Sequence, residues 1–268
     1  MIRTVLSALV AVCIGMTAKA DDAALLQLET ADANRGWEAV GRIDISGKGF
    51  CSGALIAERL VLTAAHCVHD EDGTIIPVER FEFLAGMRNG RAEAYRNVRR
   101  LVAHPGYVHT GTVPRASAVA QDIALLELDR PIRTTGITPF GTDVRPRAGD
   151  KIGIVSYAHD RAESPALQEV CEVLGQQEGV LVMTCDIDFG SSGAPVFSIQ
   201  DGAARIVSVV SAKAELEDQT VSLGTLLAAP LTELKNHLDG HQITTTAAPR
   251  RLTLSGGSGD TGAKFVKP

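Results

Sequence analysis

From Trp37 to Ala228 the chain is divided by glycine, proline and polar turn residues into short apolar segments, each of strand length and too brief for an ordinary helix. Val40–Ile45 alternates apolar and polar residues, and a Gly47-Lys48-Gly49 turn leads into Phe50–Ile56. Arg59–Thr63, Phe81–Ala85, Arg96–Ala103 and Asp122–Leu128 follow, with His104-Pro105 marking a turn and Thr110–Ala120 reading as a surface loop. Arg130–Gly149, with Pro131, Pro139 and Pro146 among Gly136, Gly141 and Gly149, reads as a crossing between two halves. A second set comprises Lys151–Tyr157, Glu169–Leu174, Val180–Thr184, Ala194–Ile199, Arg205–Ser211 and Leu223–Ala228. Pro230 then opens a helix through Leu238, with Gly240 just past its end. Many short strands and one convincing helix predict an all-β barrel or sandwich.

The flanks differ in kind. Met1–Ala20 has a basic head at Arg3, an apolar stretch from Val5 to Met16 and small residues at Ala18 and Ala20. That is the pattern of a secretory signal cut after Ala20; the apolar stretch is short for a membrane span. Residues 21–36 are polar and mixed, an arm or propiece with a short helical hint at Ala23–Leu28. The tail, 241–268, with Thr244-Thr245-Thr246 and Ser255-Gly256-Gly257-Ser258-Gly259, has too little apolar surface to order itself and is expected to be mobile.

Signal removal takes Cys13 away and leaves an even set: Cys51, Cys67, Cys171 and Cys185. In an oxidising compartment three pairings are possible. The local one, Cys51–Cys67 with Cys171–Cys185, closes two short loops, each restricting the unfolded chain by roughly 3 kcal/mol in the entropy model. A zinc site at Cys51, His66 and Cys67 competes with this, but adjacent His-Cys lacks the usual ligand spacing. Formal net charge is −6, and Arg3 and Lys19 are the only charges in the signal, so the mature chain stands at −8. With the basic tail set aside the body is more acidic still. An acidic body without a basic stripe argues against nucleic-acid binding.

Asp186–Phe197, reading Asp-Ile-Asp-Phe-Gly-Ser-Ser-Gly-Ala-Pro-Val-Phe, is the stretch richest in chemistry. Gly190 and Gly193 permit a tight turn that can aim the amides of Gly190 and Ser192 at one point beside a serine hydroxyl. Acyl transfer needs that combination of nucleophile and oxyanion donors. His66 follows a strand, with Ala64 and Ala65 leaving room for close packing, and Asp122 opens an apolar strand. His, Asp and Ser in that order are one of the chain orders that build a triad.

Cys51-Ser52-Gly53-Ala54-Leu55-Ile56, Val61-Leu62-Thr63-Ala64-Ala65-His66-Cys67, Asp122-Ile123-Ala124-Leu125-Leu126 and Gly190-Ser191-Ser192-Gly193-Ala194-Pro195 together closely resemble the trypsin/chymotrypsin-like serine peptidases, in particular the secreted bacterial trypsin-like ones. The likeness runs from about Trp37 to Leu238. It implies two six-stranded antiparallel barrels and a C-terminal helix, with the catalytic groups in the cleft between barrels. The first barrel would occupy 37–130, the crossing 131–148, and the second barrel with its helix 149–240. It implies Ser192 as nucleophile, His66 as general base, Asp122 as its orienting acid and the amides of Gly190 and Ser192 as the oxyanion hole, with no metal or cofactor. Ser191, the other hydroxyl of the turn, is disfavoured because the family places its nucleophile immediately before Gly-X-Pro. Cys51–Cys67 would be the family's bridge beside the catalytic histidine. The implied partner is a protein or peptide substrate, and the implied location secreted or periplasmic, without stable membrane insertion once the signal is gone.

Two departures stand out. Many activatable members carry Asp before the nucleophile, paired with the amine freed by zymogen cleavage; Ser191 cannot form that pair. Cys171–Cys185 does not match the usual second-barrel bridges and is expected to brace a hairpin leading to the nucleophile turn. Asp186 lies where trypsin-like members hold the carboxylate of the primary pocket, favouring Arg or Lys. Ser211-Ala212-Lys213 resembles the strand that pairs with substrate backbone, where Lys213 would oppose a basic side chain and favour an acidic one. Two other readings compete. An α/β-hydrolase esterase would need a glycine where Ala194 stands and a downstream histidine. A non-catalytic binding protein on the same scaffold would need a blocked cleft or a collapsed oxyanion hole.

Overall fold

The computed structural model describes residues 25–109, 115–142, 145–200, 202–216 and 219–243. The signal with its cut after Ala20, and the tail beyond Ile243, lie outside them. Strands β2 (Val40–Ile45), β3 (Gly49–Ala57), β4 (Leu60–Thr63), β5 (Phe81–Ala85), β6 (Ala94–Ala103) and β7 (Ala124–Leu128) close an antiparallel barrel in the order β2-β3-β4-β7-β6-β5. Strands β8 (Lys151–Ala158), β9 (Arg161–Gln177), β10 (Val180–Met183), β11 (Pro195–Gln200), β12 (Ala203–Leu216) and β13 (Gln219–Leu226) form the second, ordered β9-β10-β13-β12-β11-β8 and closed by pairing of β8 with β9. Two six-stranded antiparallel barrels with a C-terminal helix are thus the architecture.

Alternation places the core. Along β2, Gly41, Ile43 and Ile45 share one buried face while Arg42 and Asp44, on the other, are only partly covered, the period-two pattern of a half-buried strand; Val40, at the strand's start, is buried on that second face as well. The turn between β9 and β10 is Glu178-Gly179, both with positive φ (49° and 88°), as a two-residue hairpin with a right-handed twist requires. Ile152, Ile154, Val173, Leu181, Met183, Val196 and Val207 fill the second barrel. A larger cluster fills the first and continues into the seam, where Phe197 of β11 meets Trp37 edge-on at 4.9 Å and Phe140 at 4.6 Å between ring centroids.

Three local expectations are corrected. The helical hint before Leu28 gives way, among the described residues, to a two-residue strand, β1 (Leu26–Gln27), paired with Ala166 and Leu167 of β9. Leu28, fully buried, anchors it, so tertiary pairing overrides a weak local preference. Within the expected 110–120 loop lies a short helix, α1 (Ala116–Val119), whose Ala118 and Val119 are buried. The C-terminal helix α2 runs Ala228–Ile243, so Gly240 sits inside it and not past its end. It docks through Leu231, Leu234 and Leu238, and packing rather than a glycine stop sets its extent. His104 opens the turn expected at His104-Pro105, its carbonyl accepting from Tyr107 N–H at 2.9 Å, while its side chain is buried and pairs with Glu233 of α2 at 3.3 Å.

Phe197→Ala removes the ring that joins Trp37 and Phe140 in the seam. A fully buried Phe→Ala change costs about 3–5 kcal/mol, so the midpoint of thermal unfolding is expected to drop by roughly 10 °C, as calorimetry would read directly.

Candidate active site

His66 lies in a single 3₁₀ turn, Ala65–Val68, immediately after β4. The turn is pinned by the Cys51–Cys67 disulfide, which ties it to the neighbouring strand β3. Because the two sulfurs are bonded to each other, neither is a thiolate, and the Cys51, His66 and Cys67 grouping is a bridge beside an imidazole rather than a zinc cradle. The second bridge is Cys171–Cys185, and both pairings are the local ones.

Asp122 precedes β7 and is 3% exposed. Its carboxylate is engaged from three directions. His66 donates to it through its backbone N–H (2.8 Å) and ring Nδ1 (2.6 Å), and the Ser211 hydroxyl of β12 donates to it at 2.5 Å. A proton on Nδ1 leaves Nε2 as the acceptor, the tautomer a general base needs. Burial, the largest single influence, pushes the His66 pKa down, and Lys48 adds a small push the same way; the charge and hydrogen bond of Asp122 outweigh both and raise it.

Ser192 stands in the turn before β11. Gly190 (φ 96°) and Gly193 (φ 76°) bend it, and neither can carry a side chain. A Cβ on Gly193 would lie 2.2 Å from Thr63 Oγ1 and 2.5 Å from the Ser52 carbonyl oxygen; one on Gly190 would strike the Phe50 ring at 2.5 Å. The turn is therefore pressed between the two barrels: Ser52 N–H of β3 donates to the Ser192 carbonyl at 2.9 Å, and Gly193 N–H to the Val210 carbonyl of β12 at 2.9 Å. Among the hydrogen bonds of the described residues none joins Ser192 Oγ to His66 Nε2, a contact that commonly tightens only once substrate is bound. Ser191 is fully buried, whereas Ser192 is partly open to solvent. Among the described residues the amides of Gly190 and Ser192 have no hydrogen-bond acceptor, which leaves both available to a substrate oxygen.

Ser52 links these parts. Its buried hydroxyl accepts from Tyr157 N–H at 3.0 Å and donates to the Gly190 carbonyl at 2.9 Å, so a strand of each barrel holds the turn. Nothing local to Ser52 marks it for this role, because its partners lie more than a hundred positions away. The hydroxyl of Ser211, read as belonging to a substrate-pairing strand, is turned to Asp122. Asp186 is exposed, and Lys213 Nζ reaches it at 2.9 Å, so the two charges expected to favour opposite substrates engage each other.

His66 titration follows from this geometry. Its imidazole resonances are expected to titrate above pH 6.5, the ordinary histidine value. In Asp122→Asn, burial and Lys48 act unopposed, and the midpoint should move below 6.5; NMR of the ring protons reads both.

Comparison with known proteins agrees with the geometry. The Trypsin-like peptidase domain family matches residues 51–205. Serine protease 23 of Mus musculus is 27% identical over 193 residues, spanning 59% of this chain and 49% of that protein. Coagulation factor IX of Oryctolagus cuniculus is 33% identical over 99 residues, 36% of this chain and 33% of that protein. The chain thus spans at most about half the length of these curated relatives. Among solved structures, a Glu endopeptidase superposes with a TM-score of 0.66 over 82% of this chain and 98% of its own, at 22% identity, which identifies the chymotrypsin-like fold. With the matched domain covering more than half of its residues, the chain belongs to the trypsin-like peptidase family.

Proposed function

We propose that this protein is a serine endopeptidase that hydrolyses peptide bonds through an acyl-enzyme. The observation that carries the reading is the buried Asp122 carboxylate bonded to both N–H groups of His66, beside a glycine turn that presents Ser192. In this mechanism His66 Nε2 takes the proton of Ser192 Oγ as the oxygen attacks the scissile carbonyl, then returns it to the leaving amine. Asp122 keeps the proton on Nδ1 and stabilises the imidazolium. The Gly190 and Ser192 amides receive the oxyanion, each donor worth about 10²–10³ in rate by analogy with other oxyanion donors. Water activated by the same His66 then releases the acyl group. No step calls on a metal or cofactor.

The substrate is a protein or peptide in an extended conformation. Asp186 and Lys213 form its charge-sensing pair, with Ser211 on the strand alongside. Because the two charges neutralise each other across 2.9 Å, preference for Arg or Lys over Glu before the scissile bond is weak. Exposed pairs are worth about 0.2–1 kcal/mol. Lys213→Ala is therefore expected to raise the Arg-to-Glu ratio of kcat/KM by roughly 2- to 5-fold, and Asp186→Ala to lower it, as a peptide-library cleavage profile would measure.

The protein acts in an oxidising compartment, secreted or periplasmic. Two disulfides support this, and no helix among the described residues is long and apolar enough to cross a membrane. Labelling with a serine-directed fluorophosphonate tests the catalytic reading. The wild-type chain should label and cleave casein, and Ser192→Ala should lose labelling and about 10⁴-fold or more of hydrolysis. An unlabelled wild-type chain would instead make it a binding protein on a peptidase scaffold.

A further inference from the structure

We propose that the buried guanidinium of Arg161 is the positioning group that holds the nucleophile turn in its working shape, so that the chain needs no newly freed amino terminus to become active. The inference rests on the peptidase reading above.

Strands β8 and β9 are joined by a turn so short that Ala158 and Arg161 are paired across it, leaving only His159 and Asp160 at its tip. The turn grips the nucleophile segment at two points. His159 N–H donates to the Phe189 carbonyl at 2.8 Å. In a trans peptide the carbonyl and the next N–H point in opposite directions, so fixing the Phe189 oxygen also fixes the aim of the Gly190 N–H, half of the oxyanion hole. Arg161 runs inward beneath the same segment, its side chain 6% exposed. Its Nη2 lies 3.1 Å from Ser156 Oγ and 3.4 Å from Ser191 Oγ. Ser191 Oγ in turn donates to Ser156 Oγ at 3.3 Å and accepts from Asp188 N–H at 3.4 Å. Guanidinium, two hydroxyls and the Asp188 amide thus form one buried group, attached to the residue immediately before Ser192.

The charge balance of this group is uneven. Arginine stays protonated, and a buried cation is costly unless hydrogen-bonded and paired. The carboxylate bonded to Arg161 is Asp160, 68% exposed at 3.1 Å, and Arg161 Nε has no partner in the described structure. For packing alone, an apolar side chain of similar length would serve better. What the guanidinium supplies that an apolar chain cannot is a fixed donor to the hydroxyl of Ser191.

The test measures the second-order rate of fluorophosphonate labelling, kcat and KM on a peptide ester, and the thermal midpoint, all on the full chain. Wild type and Ser192→Ala come first; if wild type does not label, the peptidase reading falls and this inference with it. Given a labelling wild type, Arg161→Met is expected to lose about 30- to 100-fold in labelling and kcat with KM changed less than 3-fold. Arg161→Lys should recover about 10-fold of that. Ser191→Asp places a carboxylate against the guanidinium and should lose less than 10-fold. Combined with Arg161→Met it leaves a buried carboxylate unpaired and should fall at least 10-fold below the product of the two single changes. A chain whose amino terminus is blocked by a Gly-Ser extension should label as fast as one without it. Wild-type labelling in Arg161→Met, additivity of the pair, or loss of labelling on blocking the terminus each overturns the inference while leaving the peptidase reading intact. Should Arg161→Met fail to fold, Arg161→Lys against Ser191→Asp and the blocked terminus still decide it.

Discussion

One buried carboxylate couples the two halves of the molecule. Asp122 belongs to the first barrel, as does His66, but the third hydrogen bond to its side chain comes from Ser211 on β12 of the second. Its backbone carbonyl also accepts from Thr225 Oγ1 on β13, at 3.1 Å. An ionised group this deep is tolerable only if its oxygens are met by donors, and here the donors arrive from both barrels. Docking of the barrels and orientation of the imidazole are therefore a single event: a displacement of β12 would strip a partner from Asp122 and loosen His66.

The glycine turn that carries Ser192 obeys a steric constraint of similar severity. With Thr63 and Ser52 on one side and Phe50 and Ala158 on another, it fits only because two of its residues lack a Cβ. Ser52 then converts proximity into register, since its hydroxyl holds the Gly190 carbonyl while its amide holds that of Ser192. Rigidity at such a turn is useful for chemistry because donors already aimed at the reacting oxygen need no reorganisation when charge develops.

Much of this was legible along the chain, for reasons that differ by element. Val40–Ile45 and Phe81–Ala85 are readable as strands because Ile43 and Ile45, like Phe81 and Phe83, bracket a polar residue on one filled face, although Val40 and Leu84 are buried on the opposite faces. The full length of β9 was not: Glu169–Leu174 is its apolar part, while Arg161–Gln168 is held in the sheet by pairing with β8, which no local pattern reports. The glycines flanking Ser191 and Ser192 could be read because only glycine adopts those torsions without strain. Ser52, Ser211 and Arg161 were silent in their roles, since a buried hydroxyl or guanidinium acquires meaning from partners brought by tertiary folding. The opposition of Asp186 and Lys213 was visible as two conflicting charges, but their direct pairing was not.

The small strand at the start of the described chain has a consequence for assembly. Leu28 N–H donates to the Pro165 carbonyl, and β1 lies along β9, so a segment that precedes the first barrel is strapped onto the second. A chain emerging amino end first must hold Leu28 in water until Pro165 has been made, and the first barrel then matures with its leading edge untied. Contacts of such long sequence separation slow folding, and they make the polypeptide a closed loop of dependencies in which neither half is a natural unit for expression, grafting or exchange.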